Sequence, residues 1–203
     1  MKQRIRLVEL RDAPAVRGIY APFVLAGNTS FESELPDVPG FEERFRKLAE
    51  QYPWLVFEAE GEVVGYAYAS PHRARKAYQW SVEVSVYIKE GARHRGVGRA
   101  MYRCLFFLLH RQGYVNAYAG IALPNPGSVG LHQAMGFTPI GVFSRIGFKF
   151  GQWHDVQWMQ LRLSDPQEPV SQPHPVKTVL DAEAESIFTQ QAHAVRLGEN
   201  RDS

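Results

Sequence analysis

The chain predicts a mixed α/β domain, and three stretches carry that prediction. The apolar, β-branched run Val82, Glu83, Val84, Ser85, Val86, Tyr87, Ile88 reads as a strand. A glycine-bearing turn follows it, and then Ala100, Met101, Cys104, Leu105, Leu108 and Leu109 recur at helical spacing. Upstream, residues 54–59 and 63–70 are two apolar runs around Glu60, Gly61 and Glu62, the pattern of a hairpin. Downstream, residues 137–144 and 154–163 read as two closing strands. Alternating strands and helices of these lengths make one domain over residues 1–163, with no internal repeat.

The remaining elements follow in order. Residues 4–10 set Ile5, Leu7 and Leu10 against Arg4, Arg6 and Glu9, a first strand. Asp12 is placed to cap a helix with Pro14 in its first turn and Pro22 expected to bend it. The segment Asn28, Thr29, Ser30, Phe31, Glu32, with prolines at 36 and 39, is a loop, and residues 41–51 form a second helix. His72 to Tyr78 is a basic loop ending in an aromatic. Gly113 closes the long helix, residues 116–123 form a strand, and a short helix from Asn125 and Pro126 ends at Gly136. Residues 165–175 hold four prolines and no apolar period, so 164–203 is expected to be a Pro-rich, acidic, flexible tail, mildly helical over 181–196.

Composition narrows the function. Hydrophobic residues at 45% and charged residues at 22% fit a soluble globular protein. Cys104 is the single cysteine, which excludes an intrachain disulfide and a cysteine-based zinc site; it lies on the apolar helix face, as a packed thiol. Arg4, Arg6 and Glu9 interrupt any signal-like run, and no stretch approaches the roughly 20 apolar residues of a membrane span, so the expected location is cytoplasmic, with no membrane partner. The tail carries three Lys/Arg against seven Asp/Glu, so the preceding part is basic despite a net charge of +2. That excess suits an anionic ligand and is too dispersed for nucleic acid.

The charged turn between strand and long helix, Arg93, His94, Arg95, Gly96, Val97, Gly98 and Arg99, has two readings. A helix start offers unpaired N–H groups and a positive dipole end, glycine admits close approach, and arginine adds forked donors, so the turn can cradle phosphate. It also reads as a solvated turn with a charged helix start. The Walker spacing and the third glycine of the dinucleotide fingerprint are both missing.

Beyond that turn the residues resemble a family. Arg93-x-x-Gly96-x-Gly98 is similar to the signature of the GNAT-type N-acetyltransferases, and Asn125 with Leu131, His132, Gly136 and Phe137 is similar to a second block of that superfamily. Asn28 to Glu32, Arg75 to Tyr87, and Gly151 with Trp153, His154, Asp155 and Val156 resemble its phosphinothricin acetyltransferase branch, and together these blocks span residues 4–163. The resemblance implies a GNAT-type, mostly antiparallel central sheet flanked by helices. It implies acetyl-CoA as co-substrate without a metal, a small-molecule amine acceptor, and a homodimer. Val86, Tyr87 and Ile88 would then meet the pantetheine and acetyl group, His94, Arg95, Gly96, Val97, Gly98 and Arg99 the pyrophosphate, and Asn125 the pantetheine arm.

Acetyl transfer to an amine needs a proton acceptor, a donor to the carbonyl oxygen and help for the leaving thiolate. Glu83 is the candidate base, through water, on the strand face it shares with Ser85 and Tyr87; its bland reading is a pleat residue facing solvent. A backbone N–H near Val86 or Tyr87 is the candidate oxyanion donor. His132 stands where the superfamily commonly has a tyrosine acid, and it is either a thiolate acid or a helix residue packed beside the co-substrate. Arg75, Lys76, Ala77 and Tyr78 offer a cationic acceptor loop or a solvated one, with Phe31 and Trp80 as pocket walls. Trp153, His154 and Asp155 read as an aromatic core corner with a polar cap. Two other functions stay open: an acyl-CoA sensor without turnover, and an acetyltransferase of proteins or peptides.

Overall fold

The computed structural model describes residues 2–166 and 168–197. Seven strands form one sheet: β1 (Gln3–Leu7), β2 (Trp54–Ala59), β3 (Glu62–Pro71), β4 (Ser81–Ile88), β5 (Asn116–Ala122), β6 (Thr138–Lys149) and β7 (Gln152–Arg162). Five helices accompany them: α1 (Ala13–Leu25), α2 (Val38–Leu48), α3 (Val97–Gln112), α4 (Pro126–Ala134) and α5 (Ala182–His193). The strand order is β1-β2-β3-β4-β5-β7-β6, and every neighbouring pair is antiparallel except β4 and β5. That parallel pair needs a crossover, and α3 supplies it.

The pleat sorts the core into two layers. Tyr66, Tyr68, Ser85 and Tyr87 share one face of the sheet, because β3 and β4 pair Tyr66 with Tyr87 and Tyr68 with Ser85. On that face Tyr87 packs edge-on against Tyr20 and Phe23 of α1, and Phe45 of α2 packs on Trp54. Val82 and Val84 lie on the other face, covered by α3, whose Met101, Cys104, Leu105, Leu108 and Leu109 are fully buried. Truncating one such leucine costs about 2–5 kcal/mol. Cys104 is indeed a core thiol, and burial pushes it up to about 12.

Three expectations are corrected. The segment after residue 163 does not hang free over its described part: α5 packs on α3 and β1 and buries Ala184, Phe188 and Ala192. Its approach is fixed by polar ties that composition could not announce. Arg111 grips Asp181 with two 2.7 Å bonds, His174 N–H donates to Gln112 O at 2.8 Å, and the buried Gln112 Nε2 donates back to His174 O at 2.6 Å. Residues 198–203 of that expected tail lie outside the described residues. Secondly, Trp153 is no core corner: it is 61% exposed on the β6–β7 hairpin. Thirdly, helix α1 runs through Pro22 to Leu25.

Candidate active site

The site begins where β4 and β5 part. Their pairing holds Ser81, Val82 and Glu83 against Asn116, Ala117 and Tyr118 and then stops, although both strands run on. Backbone alternation shows what this exposes. Lys89 N–H donates to Val64 O, and Ser81 O accepts from His72 N–H, so the odd-numbered residues of β4 bond to β3. The even-numbered residues therefore face β5, and Val84 and Val86 direct N–H and C=O groups into the gap. Tyr87 does not: its backbone is committed to β3 and its ring to the aromatic layer. Of the two candidate oxyanion donors, alternation selects Val86 over Tyr87. Ile88 O accepts from Arg93 Nε at 3.2 Å.

The gap opens into a cavity of about 380 Å³, continuous with solvent. Val84 and Val86 line one wall, Ala119 and Ile121 the other, and Asn125, Ser128, His132 and Tyr102 the end beneath α3 and α4. Beside it, α3 starts at Gly96, whose φ of +90° belongs to the left-handed region. A Cβ there would meet nothing within 4 Å, so glycine is required by the backbone and leaves open space over the helix end. The first-turn N–H groups of Val97, Gly98 and Arg99 point out of the helix with no intrahelical acceptor. His94 and Arg99 are exposed around them, and Arg95 is half-buried, its carbonyl accepting from Arg196 N–H at 3.4 Å. Gly98 has another task than phosphate contact: a Cβ on it would stand 3.1 Å from Leu131 and 3.3 Å from Ile88, so it lets α4 close on α3. Arg93 stacks over Phe23, 5.1 Å from the ring centre.

Asn125 caps α4, its Oδ1 accepting from Ser128 N–H at 3.1 Å, which leaves its Nδ2 amide for a ligand at the cavity wall. His132 is buried, 4% exposed, and both its nitrogens are engaged. Nδ1 lies 2.8 Å from Ser128 O, which can only accept, so Nδ1 carries the proton. Nε2 then accepts from the Tyr102 hydroxyl at 2.9 Å. Burial lowers His132 below its ordinary value against the pull of the Ser128 carbonyl, and burial raises Tyr102. A neutral imidazole with no free N–H is poorly suited to protonate a thiolate. The geometry makes His132 a brace for Tyr102 rather than an acid.

Glu83 sits at the apex of the gap, opposite Tyr118, on the sheet face of Ser85. Its Oε1 accepts from His72 Nδ1 at 3.0 Å, and Arg73 Nη1 is 3.6 Å from the same oxygen. Phe31 is 41% exposed on the same side of the molecule as His154, their rings 6.0 Å apart. The loop that carries Phe31 is tied to the β6–β7 hairpin. Asn28 Nδ2 contacts His154 Nδ1 at 3.1 Å, and the buried Lys149 donates to Val24 O and Ser30 O, both at 2.7 Å. Arg75, Lys76 and Ala77 are exposed, and only Tyr78 turns back, edge-on to His72. Trp80 is no pocket wall: its indole N–H donates to Ser171 O at 2.8 Å, where the C-terminal segment crosses. His72, Tyr102, Ser128, Thr29 and Tyr118 were not singled out from the sequence. A histidine just beyond a strand antiparallel to the Glu83 strand was the one available signal. Among the described residues no cluster of three metal-ligating side chains exists, and no helix is long and apolar enough to cross a membrane.

Comparison with known proteins agrees with this geometry. The family described as Acetyltransferase (GNAT) domain matches residues 5–158. A phosphinothricin N-acetyltransferase of Streptomyces viridochromogenes is 37% identical over 177 residues, covering 84% of this chain and 97% of the relative. An L-methionine sulfoximine/L-methionine sulfone acetyltransferase of Pseudomonas aeruginosa is 36% identical, covering 82% and 97%. The crystal structure of a GNAT superfamily phosphinothricin acetyltransferase from Sinorhizobium meliloti, in complex with acetyl-CoA, superposes with a TM-score of 0.78 at 34% identity, covering 84% and 96%. Helix α5 lies beyond the family match.

Proposed function

The chain belongs to the GNAT acetyltransferase family and is an acetyl-CoA-dependent N-acetyltransferase; from that premise we propose that its acceptor is the amine of a small amino acid or analogue of the phosphinothricin or methionine sulfoximine kind. The observation that carries the reading is the gap after Glu83 and Tyr118, with unpaired backbone groups of Val84 and Val86 beside the start of α3. The relatives named for those acceptors, each covered to 97% of its length, support the substrate class.

The bound co-substrate supplies an activated acetyl thioester and a thiolate leaving group. The protein's own residues then divide the remaining work. First-turn amides of Val97, Gly98 and Arg99, with His94 and Arg95 beside them, hold the pyrophosphate through the helix dipole and direct donors. Asn125 Nδ2 and the free edge of Val84 and Val86 orient the pantetheine arm, and the Val86 N–H stabilises the carbonyl oxygen as it gains charge. Glu83 accepts the proton of the incoming ammonium through water, exposing the lone pair that attacks. Phe31, Arg75, Lys76, Ala77 and Tyr78 border the acceptor side. His132 keeps Tyr102 in place at the cavity floor.

A homodimer is part of the proposal. Val142, Phe148 and Trp153 on the β6–β7 hairpin are each at least 50% exposed, an apolar surface that a second copy would cover. A cytoplasmic location is inferred with it.

The test is thiol release from acetyl-CoA over a panel of amino-acid acceptors, with Glu83→Gln alongside. General acid–base groups contribute about 10²–10⁴-fold, so Glu83→Gln is expected to lose at least about 100-fold in kcat with acetyl-CoA binding intact. Unchanged turnover in that variant removes Glu83 from the mechanism.

A further inference from the structure

Glu83 is not a lone carboxylate. Of its two oxygens, Oε1 takes both cationic or polar partners, His72 Nδ1 at 3.0 Å and Arg73 Nη1 at 3.6 Å. Among the described residues, Oε2 has none. The imidazole that makes the shorter contact is itself held on three sides. It stacks on Tyr118 with ring centres 4.5 Å apart and planes 22° from parallel, and it meets the edges of Trp158 at 5.9 Å and Tyr78 at 6.4 Å. Its side chain is only 15% exposed. The elements converging on it are the end of β3, β4, β5, β7 and the loop after residue 71, and they place four aromatic or imidazole rings around one carboxylate.

A carboxylate accepts, so the ring nitrogen facing it carries a proton, and His72 is the Nδ1–H tautomer. Such a donor fixes the carboxylate's rotamer and favours its ionised form. We propose that His72 is the positioning residue of the transfer reaction, holding Glu83 by Oε1 so that Oε2 faces the acceptor ammonium or its bridging water. This rests on the reading of Glu83 as base. His72 touches neither substrate nor the reacting atoms; it acts through Glu83. The other charged and titratable groups that face the pair are Arg73 and Tyr78 on the loop, Tyr118 on β5, and Tyr68 on β3, which also faces Glu32 and Arg44.

The experiment compares His72→Phe, which keeps the flat ring on Tyr118, with His72→Asn, whose amide keeps a donor at the Nδ1 position. With phosphinothricin and methionine sulfoximine as acceptors, His72→Phe is expected to lower kcat/KM by about 10–100-fold and leave the KM for acetyl-CoA unchanged. The acid limb of its pH profile moves to higher pH, because a carboxylate without its donor holds a proton more tightly. His72→Asn returns to within about threefold of the parent with the limb in place. A merely packing role predicts the reverse order, Phe tolerated and Asn not, with an unmoved limb in both. Independently of turnover, nitrogen NMR of the whole protein reads the His72 tautomer. An Nδ1–H form that is lost in Glu83→Gln is expected, and an Nε2–H form in the parent overturns the proposal. If Glu83→Gln is as active as the parent, the base reading falls and this role with it. If Glu83→Gln is inactive while His72→Phe matches the parent, only the His72 role falls.

Discussion

Gly96→Ala separates the conformation of the cradle from its mere presence. Gly96 stands at φ +90° and ψ −5°, a conformation in which an L side chain costs about 1–2 kcal/mol. No atom lies within 4 Å of where the Cβ would go, so the cost is conformational and no clash adds to it. The cheapest relief is to rotate the peptides flanking residue 96, which swings the Val97 N–H away from the ligand side. Binding must then restore the original conformation, and 1–2 kcal/mol corresponds to about 5–30-fold in affinity. The KM for acetyl-CoA is expected to rise by that factor, with kcat within about twofold, in a thiol-release assay titrated against acetyl-CoA. Gly98→Ala is the contrasting variant. Its Cβ meets Leu131 at 3.1 Å and Ile88 at 3.3 Å, so it acts by overpacking, about 1–3 kcal/mol of stability. An acetyl-CoA KM that stays at the parent value in Gly96→Ala, while the melting temperature falls, would refute the link between the left-handed turn and co-substrate binding.

Gly147→Ala puts a Cβ 2.4–2.8 Å from the Phe31 ring, which must swing away; the acceptor KM is expected to rise severalfold with the acetyl-CoA KM unchanged, measured by steady-state kinetics. Phe188→Ala tests the docking of α5. The ring is 2% exposed, so its loss costs about 3–5 kcal/mol and lowers the melting temperature by about 6–20 °C, and calorimetry showing a shift under about 1 °C would mean that the helix is not part of the cooperative fold. Trp153→Glu places a charge on the exposed hairpin surface and is expected to convert a dimer to a monomer in sedimentation velocity; a parent that already sediments as a monomer removes the dimer.

Charge and apolar content show why the C-terminal segment misled a reading by composition. Residues 165–175 have no apolar period, yet His174 and Trp80 meet backbone partners far away in sequence, and those bonds carry the chain to α5. Only a few apolar residues anchor that helix, and a sparse set becomes sufficient when α3 and β1 already present a flat surface. His132 misled differently. Its residue type allows acid chemistry, but Ser128 O and Tyr102 occupy both nitrogens, and neither partner is implied by spacing.

By itself the chain determined its strands, the long helix after β4, the glycine turn, and the placing of Glu83, Asn125 and His132 along them. Those are properties of local pattern, since apolar period, turn residues and helix starts act over a few neighbouring residues. The tertiary structure alone decided that β4 and β5 part after Glu83, that Val86 rather than Tyr87 offers its N–H, and that His72 grips the carboxylate. It also decided that Trp80 serves the C-terminal segment. Each of these depends on strand register or on contacts between segments tens of residues apart, where a shift of one residue turns a side chain to the opposite face.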